Sequence, residues 1–244
     1  MSVVPLVLSG ARLFAVQGSW NYDRLLGLGI GYAAEPLLRD LPGGVDGQRY
    51  REALGRAVAP FNAHPYLAGL AVGAVARIEH EEHSEDLARL RIALRGPLGS
   101  MGDRLVWTGT LPIASALGLM VGSLGLTWLG PIVLLVVHNA AHLWLRLWGL
   151  LAGWRLGRDL IRALRAPGLM VALRFVGPVA LVLLGMALPL AASWLLAEFD
   201  LAGQVAVVGV FAVTFVVGRW VAPVLRGPLL GLLVAAAVLV GAWS

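Results

Sequence analysis

Between Arg104 and Arg146 the chain reads LVWTGTLPIASALGLMVGSLGLTWLGPIVLLVVHNAAHLWL, residues 105–145, a run of 41 positions without a charged side chain. A membrane-spanning helix needs about 20 apolar residues, so this stretch holds two. Gly122-Ser123 and Gly125 supply a turn between them. Gly130-Pro131 then restarts a helix with proline near its first position. Further apolar stretches follow at Phe175–Ala197, Leu201–Gly218 and Gly227–Ser244, giving an expectation of about five spans. Gly-Pro recurs at Gly177-Pro178 and Gly227-Pro228, each where a span would begin. We read this as helix-start chemistry and not as a sequence repeat.

The whole chain agrees with its middle. Its 244 residues are 59% hydrophobic and 14% charged, with a mean hydropathy of +0.80. A soluble domain carries about 45–50% apolar and about 25% charged residues. An ordinary soluble enzyme is excluded, and disorder more firmly still. The expected fold class is an all-α polytopic membrane protein, with amphipathic and re-entrant or broken helices in its N-terminal part. The absence of cysteine excludes disulfides, thiolate metal sites and cysteine nucleophiles. The formal charge of +5, all of it arginine, raises nucleic-acid binding. The arginines are dispersed and interrupted by carboxylates, which argues against it.

Charge divides the chain near Asp103. Residues 1–103 hold 11 of the 14 acids and 10 of the 19 arginines, while residues 104–244 carry a net +6. Two parts are expected: an amphipathic and re-entrant helical part at 1–103, and a transmembrane part at 104–244. Arg155, Arg158, Arg162 and Arg165 form a basic segment expected on the cytoplasmic side, as are Arg219 and Arg226. Glu198 and Asp200 then lie outside, with residues 1–103 inside and the C-terminus outside. Ser2–Ser9 is too short an apolar run, and lacks the basic flank, for a signal peptide.

Within the first part, Gln48–Ala59 is amphipathic. Ser84 is placed to cap a helix running to Arg95, with Leu87, Leu90 and Leu94 on one stripe and Glu85 and Arg89 spaced i,i+4. Pro65–Ile78 is apolar but 14 residues long, too short to span, which suits an interfacial or re-entrant helix.

Three segments place polar side chains in apolar surroundings. They are Gln17-Gly18-Ser19-Trp20-Asn21-Tyr22-Asp23-Arg24, Phe61-Asn62-Ala63-His64-Pro65-Tyr66, and Gly96-Pro97-Leu98-Gly99-Ser100-Met101-Gly102-Asp103 with Trp107 and Pro112 beyond. In this order they resemble the IID membrane subunit of the mannose/fructose/sorbose phosphotransferase family. That family shows Q-G-S-W-N-Y-E-R, then F-N-T-H-P, then G-P-L-A-G-x-G-D with a tryptophan soon after. Asp23 stands here for Glu, Ala63 for Thr, and the third segment keeps its Gly-Pro and Gly-Asp flanks. Glu81-Glu82 and Asn139 after Gly130-Pro131 also fit the pattern.

The resemblance implies a sugar permease in a bacterial inner membrane. A IID chain pairs with a IIC membrane subunit of similar, inverted fold, as a trimer of heterodimers in the lipid bilayer. Cytoplasmic IIA and IIB proteins relay phosphate from phosphoenolpyruvate to the entering hexose. The phosphorylated histidines lie in IIA and IIB, so no catalytic residue, cofactor or metal is expected in this chain. Nucleic acid has no part.

A sugar site fits the residues themselves. Hexose hydroxyls both donate and accept, as do the Asn62 amide and a neutral His64 ring. Pro65 disfavours helix at the residue before it, and a broken helix end beside a wet cavity frees backbone groups. Asp103 can accept from two hydroxyls, Gln17 adds an amide, and Trp107 or Trp20 can cover an apolar sugar face. Blander roles stand beside these. Asn62 as a helix cap, His64 bonded to a backbone carbonyl, and Gln17 and Asp103 bracing a hairpin are structural alternatives. The Ser19-Trp20-Asn21-Tyr22 cluster reads as an interfacial aromatic anchor.

His138 and His142, spaced i,i+4, have the placement of zinc ligands but no evident third, and interhelical hydrogen bonding is the better reading. His80-Glu81-Glu82-His83 is one residue short of H-E-x-x-H and reads as a charged helix end. The Glu79–Asp86 acid run reads as a cytoplasmic surface near the IIB docking face. Ala63, the histidine pair and the short loop at Glu198–Asp200 also motivate a second function: a transport-inactive homologue with a regulatory or interaction role.

Overall fold

The computed structural model describes residues 3–82, 84–197 and 199–218. Among these the regular structure is helical: α1 (Val3–Arg12), α2 (Gly27–Leu38), α3 (Gln48–Ala57), α4 (Ala68–His80), α5 (Ser84–Leu105), α6 (Leu111–Ser123), α7 (Leu129–Leu156), α8 (Leu160–Leu164), α9 (Pro167–Leu196) and α10 (Leu201–Gly218). The chain forms two compact units, Met1–Met186 and Ala187–Ser244. The protein is an all-α polytopic membrane protein. Three stretches among the described residues are long and apolar enough to cross a bilayer: Glu85–Ser123, Leu129–Leu164 and Pro167–Leu196. The expected span at Gly227–Ser244 and the loop arginines Arg219 and Arg226 lie outside the described residues, as do His83 and Glu198.

The first span is one helical run made of α5, a π-helical turn at Val106–Thr110, and α6. The helix that begins at Ser84 does not stop at Arg95 as expected. It continues through Gly96-Pro97 to Leu105. Proline costs a helix one hydrogen bond, and Gly96 beside it leaves the space around it empty. Leu87, Leu90 and Leu94 form the expected buried stripe. The charge boundary at Asp103 lies inside this helix.

A turn with Gly125 at φ 87° ends the first span, and α7 restarts just ahead of Gly130-Pro131, as the sequence implies. Gly177-Pro178 does not start a span. α9 begins ten residues earlier, at Pro167, and carries Pro178 and Pro189 in its interior. Proline is tolerated in membrane helices because neighbouring elements re-satisfy the freed backbone groups. In the second unit α10 starts at Leu201 as expected and runs to the last described residue, and the Asp200 carboxylate caps it by accepting from the Gly203 N–H at 2.8 Å.

α4 is the centre of the first unit. All its residues except Arg77 and His80 are buried, so it is a core helix and not an interfacial one. The sequence makes this possible by being small: Ala68-Gly69-Leu70-Ala71-Val72-Gly73-Ala74. Gly69 and Gly73 face Gly149 and Gly153 of α7. A methyl on Gly69 would stand 2.6 Å from the Arg146 carbonyl oxygen, and one on Gly73 2.5 Å from the Trp154 nitrogen. Two small-xxx-small faces therefore let the backbones touch. Outside the spans, the Arg56 guanidinium meets the buried Glu79 carboxylate through two bonds of 2.8 Å, tying α3 to the end of α4.

Candidate functional site

The non-helical segment 60–67 hangs between α3 and α4, and each of the other two motifs holds one side of it. On one side it pairs with the segment after Trp20. The Leu26 N–H donates to the Phe61 carbonyl at 2.9 Å, and the Phe61 N–H donates to the Arg24 carbonyl at 3.2 Å. Asn21 shapes that segment: its side-chain oxygen accepts the Arg24 N–H at 2.8 Å, and its amide donates to the Ser19 carbonyl at 3.1 Å. Leu25, at the crossing, has φ 54°, a left-handed conformation costing a non-glycine residue about 1 kcal/mol or more.

On the other side, segment 60–67 lies on α5. The His64 N–H donates to the Leu98 carbonyl at 3.2 Å. Gly102 is the seat of the imidazole. A methyl there would overlap the His64 Cβ and stand 2.6 Å from its Cγ. One turn earlier, a methyl on Gly99 would reach the Asn62 amide at 3.5 Å. The Gly-Pro-Leu-Gly-Ser-Met-Gly-Asp segment thus provides a smooth helix face against which Asn62-Ala63-His64 can rest.

Together the three motifs enclose a cavity of about 430 Å³. Gln17, Asn62, His64, Asp103 and Trp107, the five residues put forward from sequence for the sugar site, line it, with Trp20, Tyr66 and the apolar Leu26 and Val106. Gln17, Asn62, Asp103 and Trp107 are exposed, whereas His64 is buried. Among the described residues the side chains of Gln17, Asn62 and Asp103 make no hydrogen bond to protein. Asn62 caps no helix, since α4 has no side-chain cap. Among the described residues His64 bonds no carbonyl through its ring. Its Nδ1 accepts the Tyr66 N–H at 3.2 Å, which puts the proton of the neutral ring on Nε2. Burial lowers the His64 pKa below the ordinary histidine value; Arg146 adds to this, and Asp103 opposes both. The ring is therefore neutral at neutral pH.

A family description, the IID component of the mannose/fructose/sorbose phosphotransferase systems, matches residues 6–202. The chain belongs to this IID family. It is 29% identical over 152 residues to the mannose-specific EIID component of Escherichia coli (strain K12), covering 60% of this chain and 53% of that relative. It is 30% identical over 153 residues to the fructose permease IID component of Bacillus subtilis (strain 168), covering 60% and 54%. It is 32% identical over 152 residues to the sorbose-specific EIID component of Klebsiella pneumoniae, covering 59% and 54%. The chain thus spans about half the length of the curated relatives it matches. A chain in the cryo-EM structure of the mannose transporter ManYZ with microcin E492 is similar at a TM-score of 0.59 and 23% identity, covering 76% of this chain and 69% of that one. Another membrane protein structure is similar at a TM-score of 0.72 and 19% identity, covering 98% and 97%. At these identities both report the fold alone.

Around the cavity of this IID chain stand further residues to which the sequence assigned no part in the sugar site. Tyr66 links the site to α7: its hydroxyl lies 3.2 Å from His138 Nε2, and its ring stacks on His142 at 4.1 Å. Arg146, 4% exposed, donates from Nε to His142 Nε2 at 2.6 Å and also to the Leu13 carbonyl. Its guanidinium covers the Tyr66 and Phe14 rings at 5.3 Å each. His138 and His142 are thereby engaged with protein, and the described residues contain no cluster of three metal-ligating side chains. Arg91, also buried, donates to the Ala57 carbonyl at 3.2 Å and the Ala59 carbonyl at 2.5 Å and covers Phe61 at 5.0 Å. It clamps the chain that leads into Asn62. The available signal for both arginines was a charge placed inside an apolar stripe.

Proposed function

We propose that this chain is the membrane subunit of a phosphoenolpyruvate-dependent hexose permease, forming one wall of a sugar pathway whose other wall is a IIC subunit. The observation that carries the reading is the convergence of three separate motifs on one cavity of about 430 Å³ with unpaired amide and carboxylate groups. Small-molecule sites typically have about 300–1,000 Å³. The polar set suits a neutral polyol. Asn62 and Gln17 donate and accept, His64 offers Nε2–H, and Asp103 accepts from hydroxyls. Trp107 and Trp20 supply flat apolar faces for the C–H side of a sugar ring.

The assembly follows the family. IIC and IID pair as heterodimers, three to a complex, in the bacterial inner membrane. Phosphate passes from phosphoenolpyruvate through IIA and IIB to the arriving sugar. This chain binds, orients and releases the hexose and carries no phosphate. The cytoplasmic side is the one bearing Arg155, Arg158, Arg162 and Arg165.

The test is phosphoenolpyruvate-dependent phosphorylation of hexoses by vesicles that hold this chain, its IIC partner, IIA and IIB. Asn62→Ala and His64→Ala should each weaken sugar affinity about two- to tenfold, the worth of one hydrogen bond of about 0.5–1.5 kcal/mol. Activity indifferent to both substitutions overturns the site. A complete complex with no sugar phosphorylation at all returns the regulatory, transport-inactive reading.

A further inference from the structure

We propose that the junction of α7, α8 and α9 holds the phosphate of an anionic phospholipid. The inference stands on a second cavity and is independent of the sugar reading. This cavity, of about 770 Å³, is lined by Arg158, Arg162 and Arg165 and by apolar Leu156, Ile161 and Pro167. Asp159 is the one carboxylate in its wall, so the lining carries three positive charges against one negative. Arg158 is held loosely, 3.9 Å from Glu81 and 3.4 Å from Asp86. Arg162 and Arg165 are exposed and have no ion-pair partner among the described residues.

Position selects the ligand. The cavity lies where Leu129–Leu164 ends and Pro167–Leu196 begins, two segments each fit to cross a bilayer. The link between them is therefore at the level where hydrocarbon gives way to headgroups. Guanidinium forks match phosphate oxygens with paired N–H donors, and basic pockets between membrane helices recruit anionic headgroups. Leu156, Ile161 and Pro167 give the adjoining glycerol and acyl carbons an apolar wall that a free phosphate does not use. Asp159 disfavours a dianion, so a phosphodiester with a single negative charge fits better than a phosphate monoester.

Native mass spectrometry on the purified full chain, with any membrane partner that accompanies it, reads this directly. The probes are phosphatidylglycerol, phosphatidylcholine and inorganic phosphate, titrated in detergent. Phosphatidylglycerol should bind at least tenfold more tightly than either of the others. Arg162→Gln with Arg165→Gln should weaken it about 30-fold, near a factor of five for each arginine at a membrane surface. Arg51→Gln, an exposed arginine on α3, should change nothing. Asp159→Asn should tighten binding several-fold, and it keeps the proposal testable if the double variant does not fold. Equal affinity for the two lipids, phosphate bound as tightly as phosphatidylglycerol, or affinity unmoved by these cavity substitutions overturns it.

Discussion

Gly102→Ala tests whether the third motif serves the second. The added methyl would overlap the His64 Cβ and stand 2.6 Å from Cγ and 3.2 Å from Nδ1. Ordinary carbon contacts begin near 3.5 Å, so the imidazole must retreat by about 1 Å. Neither partner can follow. The His64 N–H reaches Leu98 at 3.2 Å and the Tyr66 N–H reaches Nδ1 at 3.2 Å, and a retreat of that size breaks both bonds. Losing them costs about 0.5–1.5 kcal/mol each, and overpacking adds about 1–3 kcal/mol. Sugar affinity should fall about tenfold or more as Nε2–H leaves its place. Gly96→Ala, six residues earlier in the same motif, is the matched control, because a methyl there meets nothing within 4 Å. It should be neutral in affinity and stabilise the helix by up to about 1 kcal/mol. The assays are sugar binding by calorimetry and thermal unfolding of the purified complex. Equal behaviour of the two alanine variants would refute the seat.

Arg56→Leu strands the Glu79 carboxylate, which is 2% exposed, and should cost about 3 kcal/mol, read as a lowered thermal midpoint; Glu79→Gln in the same chain should recover part of it. Gly73→Ala brings a methyl to 2.5 Å from the Trp154 nitrogen and forces α4 and α7 apart, costing about 1–3 kcal/mol in thermal unfolding, whereas Gly55→Ala, with open space around it, costs nothing. His64, whose pKa is lowered chiefly by burial, stays neutral in the folded chain where the unfolded chain would charge. Its contribution to stability is therefore complete above about pH 6.5 and is lost as pH falls through the depressed folded value. Sugar affinity measured from about pH 7.5 downward depends on the folded-state ring alone, so it should hold through about pH 6.5 and fall only as pH drops through the depressed folded value, and His64→Gln should flatten it.

What could be read from the sequence depended on how local its cause is. Leu201–Gly218 emerges as α10 with the start its apolar run implies, because an uninterrupted apolar run of 18 residues settles a helix by itself. The five cavity residues were legible because motifs mark them, although residues 17, 62 and 103 meet only through tertiary pairing. Most of the misreadings are non-local. Gly177-Pro178 looks like a helix start, yet Pro167 takes that role and the surrounding helix absorbs the later proline. Residues 65–78 look interfacial by length, yet the glycines of α7 receive those of α4 and bury it. Nothing near Gly69 or Gly73 announces that Gly149 and Gly153 lie opposite. Arg91 and Arg146 were likewise just two charges until the Ala57, Ala59 and Leu13 carbonyls appeared beside them.

The unpaired groups at the cavity also bear on the partner. Gln17, Asn62 and Asp103 are exposed and make no protein hydrogen bond among the described residues. Against hydrocarbon, each neutral amide left unpaired would cost about 2–7 kcal/mol and a carboxylate far more. Lipid is therefore excluded as the permanent neighbour of this surface. Water, a sugar or the polar face of another chain must stand there. In the proposed permease a partner stands at this opening, and cysteine labelling tests it. A cysteine introduced at Tyr22, 88% exposed beside Trp20, should react with a maleimide in the isolated chain and be protected in the assembled permease. Equal labelling in both would place the partner elsewhere and leave the exposed polar groups without an explanation.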